Sequence, residues 1–132
     1  MRCVITKWMI PCNVKNFNIV EHFKSEKTAF FKRNRALTVG DEVYIYVAKP
    51  FSEVKYKGHV IKTGIPANEI DIKYGVPRGE EKSFIEVELD KVFPDGTFTG
   101  KDLMAHGLGQ VVNQQIIRGK IEEYILAIEN QL

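Results

Sequence analysis

The sequence predicts an α+β domain built around a small mixed β-barrel of about five to six strands, flanked by helices and ending in a helical C-terminus. Three observations carry this expectation. Apolar, β-branched runs recur between Gly, Pro and Asp turn signals over the first two-thirds of the chain. The last third changes to helical spacing. Few of the expected strands carry the charges that would protect an open edge, so closure of the sheet is expected.

The elements follow in order. "CVITKWMI" is apolar on both parities, as suits a strand buried on both faces, and Pro11 is expected to end it. "FNIVEHFK" places Phe17, Val20 and Phe23 at helical spacing, with Asn16 available as an N-cap. "KTAFFKRNR" is a short extended or irregular segment, and "LTVGD" is a turn in which Gly40 supplies the permissive backbone. "EVYIYVA" is the clearest strand, with aromatic and β-branched residues that suit a packed sheet. After the loop "KPFSE", "VKYKGHVIKTG" is a strand in which Gly58 marks a bulge or a close backbone approach. Residues 65 to 79 are rich in Pro and Gly and predict a loop. "KSFIEVELDKVF" alternates like a half-exposed strand, and "PDGT" turns after it.

The tail is expected to be helical throughout. Asp102 to His106 forms a short turn ending at Gly107. "QVVNQQIIRG" gathers Val111, Val112, Gln115 and Ile116 on one side, with Gly119 as its stop. "KIEEYILAIENQ" sets Ile121, Ile125 and Ile128 on an apolar stripe and leaves Glu122, Glu123 and Glu129 mostly outside.

The 132 residues fit one domain, 1–132, long enough to bury roughly two-thirds of its unfolded surface. No run of about 18 apolar residues occurs, and the N-terminus lacks a signal-peptide core, so a cytoplasmic protein without membrane attachment is expected. Cys3 and Cys12, on one strand at about 3.3 Å per residue, would lie beyond disulfide reach. His22, His59 and His106 show no zinc-motif spacing, so neither metal nor cofactor is expected. No nucleophile elbow, Walker loop or zincin motif is present, which argues against an enzyme. Asp41 and Glu42 sit at a turn, where Asp more often shapes the turn than acts as a base. Glu86, Glu88 and Asp90 alternate on one strand face, where mutual repulsion favours solvent.

Charge is unevenly placed. Residues 1–40 carry eight Lys/Arg against two Glu, and residues 41–132 carry eleven against fifteen Asp/Glu. A solvated face and a polyanion-binding face fit that polarity equally well. Aromatic residues tip the balance. Trp8, the pair Phe30 and Phe31, Tyr44 with Tyr46 on one strand face, and Phe51 surround the basic segment in sequence. Planar rings beside cations are what a stacked base and its phosphates require.

In this order, "KWMIPCN" followed by "FKRNRALTVGDEVYIYVAKPFSEVKYKGHVIKTG" resembles the EVE domains of the PUA-like superfamily, which also includes ASCH and YTH domains. The resemblance covers about the first half of the chain in motif detail. It implies a partly open barrel and a reader of modified or flipped bases in DNA or RNA. Carried over, Trp8, Asn13, Phe31, Tyr46 and Phe51 would form the base pocket. Lys32, Arg33 and Arg35 would hold phosphates, and Asn34 would bond a base edge. The chain has one tryptophan where YTH-type cages use several, so the methyl-adenine specificity of those cages does not carry over. The expected partner is thus DNA or RNA, single-stranded or with one base flipped out. The alternatives are an ASCH-like hydrolase of a modified nucleoside, using Lys7 with Asp41 or Glu42, and a protein-interaction module with a basic face. The sequence fixes neither base nor oligomeric state.

Overall fold

A computed structural model describes residues 5–15, 17–33, 35–66, 83–109, 111 and 114–132. Expectations for Cys3, Asn16, Asn34, Val112 and most of the 65–79 loop lie outside these residues. The fold is α+β, with six strands in one mixed sheet and three helices among the described residues.

In chain order the elements are β1 (Lys7–Cys12), α1 (Ile19–His22), β2 (Thr28–Lys32), β3 (Glu42–Val47), β4 (Glu53–Pro66), β5 (Ser83–Val92), α2 (Gly100–Ala105), β6 (Gln115–Ile116) and α3 (Lys120–Glu129). The sheet order is β2-β5-β4-β3-β1-β6. Only β1 and β3 run parallel, with Lys7 opposite Glu42 and Trp8 opposite Val43. The other pairs are antiparallel.

Alternation sorts the side chains into two cores. Trp8, Ile10 and Cys12 of β1 join Val43, Ile45 and Val47 of β3 on the inner face, with Phe31, Tyr56, Val60, Ile85 and Val87. Helix α1 closes part of that face with Ile19, which is fully buried. Met9 and Tyr44 point the other way, into a second core with Phe93, Phe98, Leu103, Ile121 and Ile125 beneath α2 and α3. Each fully buried aliphatic side chain in these layers contributes roughly 1.5–3 kcal/mol.

The sheet curls far enough that the flanks of the first and last strands in its order come within hydrogen-bond reach. The Gln114 amide Nε2, just before β6, donates to the Lys32 carbonyl at the end of β2, at 2.6 Å. Among the described residues no strand pairing joins β2 to β6, so the barrel stays open along this seam.

Several expectations need correction. Asn18 caps α1, its Oδ1 accepting from Glu21 N at 3.2 Å. Pro11 lies inside β1. Its partner β6 covers only Trp8 and Met9, so the outer edge near Pro11 is open and a missing N–H is tolerated there. The "QQII" stretch is not helical. Gln115 and Ile116 pair with β1, because the open β1 edge offers ladder bonds that β-branched residues suit better than a helix. Gly119 does not stop that stretch but opens α3, at φ 72°.

Glu129 is the largest departure. It was expected outside and is buried at 8% exposure. It accepts from the Tyr44 hydroxyl, from Lys57 Nζ at 3.0 Å and from Lys91 Nζ at 3.4 Å. Burial raises its carboxyl pKa, but the Tyr44 hydroxyl and the Lys57 and Lys91 ammonium groups outweigh that and hold it below the ordinary value. Burial first, and then the Glu129 carboxylate, push the Tyr44 hydroxyl pKa upward. Lys7 adds a second tie to α3, with Nζ 3.1 Å from Glu122.

Gly58 behaves as expected. The β4–β5 register shifts beside it, and a Cβ there would strike the Glu88 carbonyl and lie 2.8 Å from Val87 Cγ1. Gly58→Ala should therefore cost about 1–3 kcal/mol in chemical denaturation. Unchanged stability would show that β5 yields freely. For Glu129 the depressed folded pKa fixes the sign of the pH dependence. Its contribution is full above the unfolded carboxyl value of 4.5 and is lost as pH falls through the lower folded value. In acid denaturation Glu129→Gln should be less stable than wild type at neutral pH, and the gap should narrow as pH drops below that value. A gap independent of pH would contradict the assignment.

Candidate nucleic-acid interface

The turn before β3 builds the wall of the candidate site. Gly40 adopts φ 95°, a conformation open to glycine, and Asp41 then turns inward to 3% exposure. Its carboxylate accepts three hydrogen bonds. Oδ1 takes the Thr6 amide at 3.2 Å, and Oδ2 takes the Thr38 amide and the Trp8 indole Nε1, both at 3.0 Å. A buried carboxylate bound this way is satisfied without a counter-ion. It ties the start of β1 to the turn and fixes the Trp8 ring.

Beside that ring lies a cavity of about 500 Å³ at the open seam. Trp8 lines it from β1, Arg35 and Ala36 from the segment after β2, and Gln114, Gln115, Ile116 and Arg118 from β6 and its flanks. Trp8 itself is only 4% exposed, so it forms a floor rather than a protruding stacking plate. Among the described residues the Arg118 guanidinium has no ion-pair or hydrogen-bond partner.

The remaining residues expected at the site scatter. Arg35 reaches the cavity. Arg33 is engaged in the turn, its Nε and Nη2 both donating to the Leu37 carbonyl, at 3.1 and 2.8 Å. Lys32 is half-buried at the end of β2, and its carbonyl serves the seam. Phe31 is buried in the inner core, edge-on to Phe17 at 6.3 Å. Asn13 lies beyond the far end of β1, roughly 16 Å from Trp8 at ~3.3 Å per residue. Its side chain accepts from Lys15 N at 3.0 Å. Phe51 packs against the inner core under the Lys55 ammonium, 4.9 Å from the ring centre. Tyr46 packs on the outer core, across the sheet from Trp8. Of the nine residues expected to form the site, Trp8 and Arg35 share this cavity, and Asn34 lies outside the described residues.

Sequence reasoning missed Gln114, Gln115 and Arg118. Reading the tail as helical hid them, although a β-branched Ile-Ile pair after two glutamines is a signal for an edge strand. The second arginine at the cavity, Arg118, comes from the acidic half of the chain.

The hydrolase pair is also placed. Lys7 Nζ is 4.0 Å from Glu42 on the outer face, but it is engaged more closely by Glu122. Asp41 is consumed by its three donors. The sheet also brings His59 together with Glu88 and Asp90, which local spacing could not foretell. His59 Nδ1 lies 2.9 Å from Asp90 and Nε2 lies 3.4 Å from Glu88, so the cluster is self-satisfied. Burial pushes the Cys12 thiol up to about 12, so it stays protonated at neutral pH. No described helix is long and apolar enough to cross a membrane.

No protein-family profile matches the sequence, and no curated protein does. Solved structures do share the fold. The ASCH protein of Zymomonas mobilis superposes with a TM-score of 0.63 at 10% identity, over 92% of this chain and 94% of that one. A Pseudomonas putida protein gives 0.68 at 17%, over 92% and 98%. Atu2648 of Agrobacterium tumefaciens gives 0.63 at 16%, over 95% and 92%. The likeness is one of fold. It agrees with the PUA-like architecture expected from the sequence.

The Asp41 arrangement makes a prediction. Asp41→Ala leaves three donors without their acceptor, and should cost more than about 2 kcal/mol in denaturant unfolding. The emission of Trp8, the single tryptophan, should shift to longer wavelength in the folded variant. A variant with native stability and unshifted emission would show that the carboxylate does not hold the ring.

Proposed function

We propose that this chain is an EVE-type, PUA-like nucleic-acid-binding module that receives a base, unstacked and modified, in the seam cavity, and that it does so in the cytoplasm without a chemical step. The observation that carries the reading is the joint placement of Trp8, two arginines and two glutamine amides around one opening of about 500 Å³. Each supplies something a nucleotide needs. The indole gives an apolar floor for a base. Gln114, whose Nε2 is committed to the Lys32 carbonyl, and Gln115 set polar amides beside the place a base edge would occupy. Arg35 and Arg118 present guanidinium forks to phosphate oxygens, which give affinity without sequence information.

The open seam supports the same reading. Among the described residues the seam carries the Gln114–Lys32 side-chain bond and no strand ladder, which leaves a recess for a base. An extruded base demands such a recess, whereas a duplex read from outside does not. The ASCH fold neighbours are compatible with this without assigning it. Tyr46 and Phe51 are not part of the pocket in this proposal, and Arg118 takes the phosphate role expected of Arg33.

Titration of Trp8 fluorescence with single-stranded DNA and RNA oligonucleotides, modified and unmodified, tests it. Binding should quench the emission to an extent that depends on the modification, and affinity should fall steeply with salt. Arg118→Ala should weaken all oligonucleotides alike and reduce the salt slope by about one. Equal quenching by every oligonucleotide, or an unchanged slope in Arg118→Ala, would refute the base-reading proposal.

A further inference from the structure

A second cavity lies on the other side of the sheet, among β3, the turn after it and α2. It measures about 280 Å³, the volume of roughly nine waters at ~30 Å³ each. Tyr46, Lys49 and Ser52 line it from one side, and Gly100, Met104 and Leu108 from the other. Among the described residues, the Tyr46 hydroxyl, the Lys49 ammonium and the Ser52 hydroxyl are each without a hydrogen-bond or ion-pair partner.

Local structure maintains this hollow. Gly100 carries no side chain where a Cβ would strike the Tyr46 hydroxyl and lie 3.2 Å from the Ser52 carbonyl. The Gly100 amide donates to that same carbonyl at 2.8 Å, which holds the start of α2 against the turn. Ser52 sits at φ 50°, a costly conformation for a non-glycine residue, kept only where its surroundings hold it. Met104 is half exposed at the rim, with a flexible side chain suited to closing over varied shapes.

We propose that this cavity binds a small carboxylate with an apolar body. The ammonium of Lys49 and the hydroxyls of Tyr46 and Ser52 would hold the carboxylate, and Met104 and Leu108 would cover the apolar part. The cavity lies across the sheet from Trp8. It therefore stands apart from the base-reading proposal, and either can fail without the other.

Chemical-shift titration of the amide spectrum with benzoate and butyrate tests the site, with benzamide and butyramide as neutral matches and inorganic phosphate as the anion without an apolar body. The carboxylates should bind saturably, at least tenfold tighter than their amides and than phosphate, and should shift residues around Tyr46 and Gly100. Lys49→Met should bring carboxylate affinity down to that of the amides. Met104→Trp should fill the rim and weaken carboxylates and amides together, with the unfolding midpoint checking that it folds. No saturable binding by either carboxylate, equal binding of amide or phosphate, or full affinity in Lys49→Met would each overturn the proposal.

Discussion

The Asp41 carboxylate organises this molecule. It lies almost wholly out of water and collects the Thr6 and Thr38 amides and the Trp8 indole N–H. Hydrogen bonds to a charged acceptor contribute about 1.5–3 kcal/mol each. Here they also do geometric work. They join the first strand to the turn before β3, which pairs with β1 in parallel, and they lock the one tryptophan ring in place. Everything proposed about the seam cavity depends on that ring being a fixed floor.

The second constraint is that the sheet curls without closing. Strand twist brings the flanks of β2 and β6 close enough for the Gln114 amide to donate to the Lys32 carbonyl. A closed ladder there would leave no recess. A flat sheet would leave an open edge prone to pairing with other chains. The outer face is covered separately by α2 and α3, and Glu129 fastens α3 through Tyr44, Lys57 and Lys91. The helical layer thus holds the sheet independently of the seam.

The fold was largely legible because its signals are local. The apolar runs of β1 and β3, the glycine of β4 and the alternation of β5 report strands through periodicity alone. Gly58 announced its close approach because a strand glycine with no turn function has few other uses. What was not legible depended on distant partners. Asp41 read as a turn residue, and it is one, but its bond to Trp8 joins residues separated by a helix and a strand. Glu129 ended an exposed-looking helix face, and only the arrival of Tyr44 and Lys57 from the sheet accounts for its burial. Gln115 and Ile116 carry a pattern that serves helix or strand, and the free edge of β1 decided between them. The candidate site was legible only in part, for the same reason. Trp8 and Arg35 announce themselves, whereas Arg118 joins them only once the tail pairs with β1.

The most direct measurement is a chemical-shift map of the amide and indole N–H signals as a single-stranded oligonucleotide is added. The account predicts that the Trp8 indole N–H moves together with the amides of Arg35, Gln114, Gln115, Ile116 and Arg118. Shifts confined to other faces, or an indole signal that stays fixed at saturation, would contradict it.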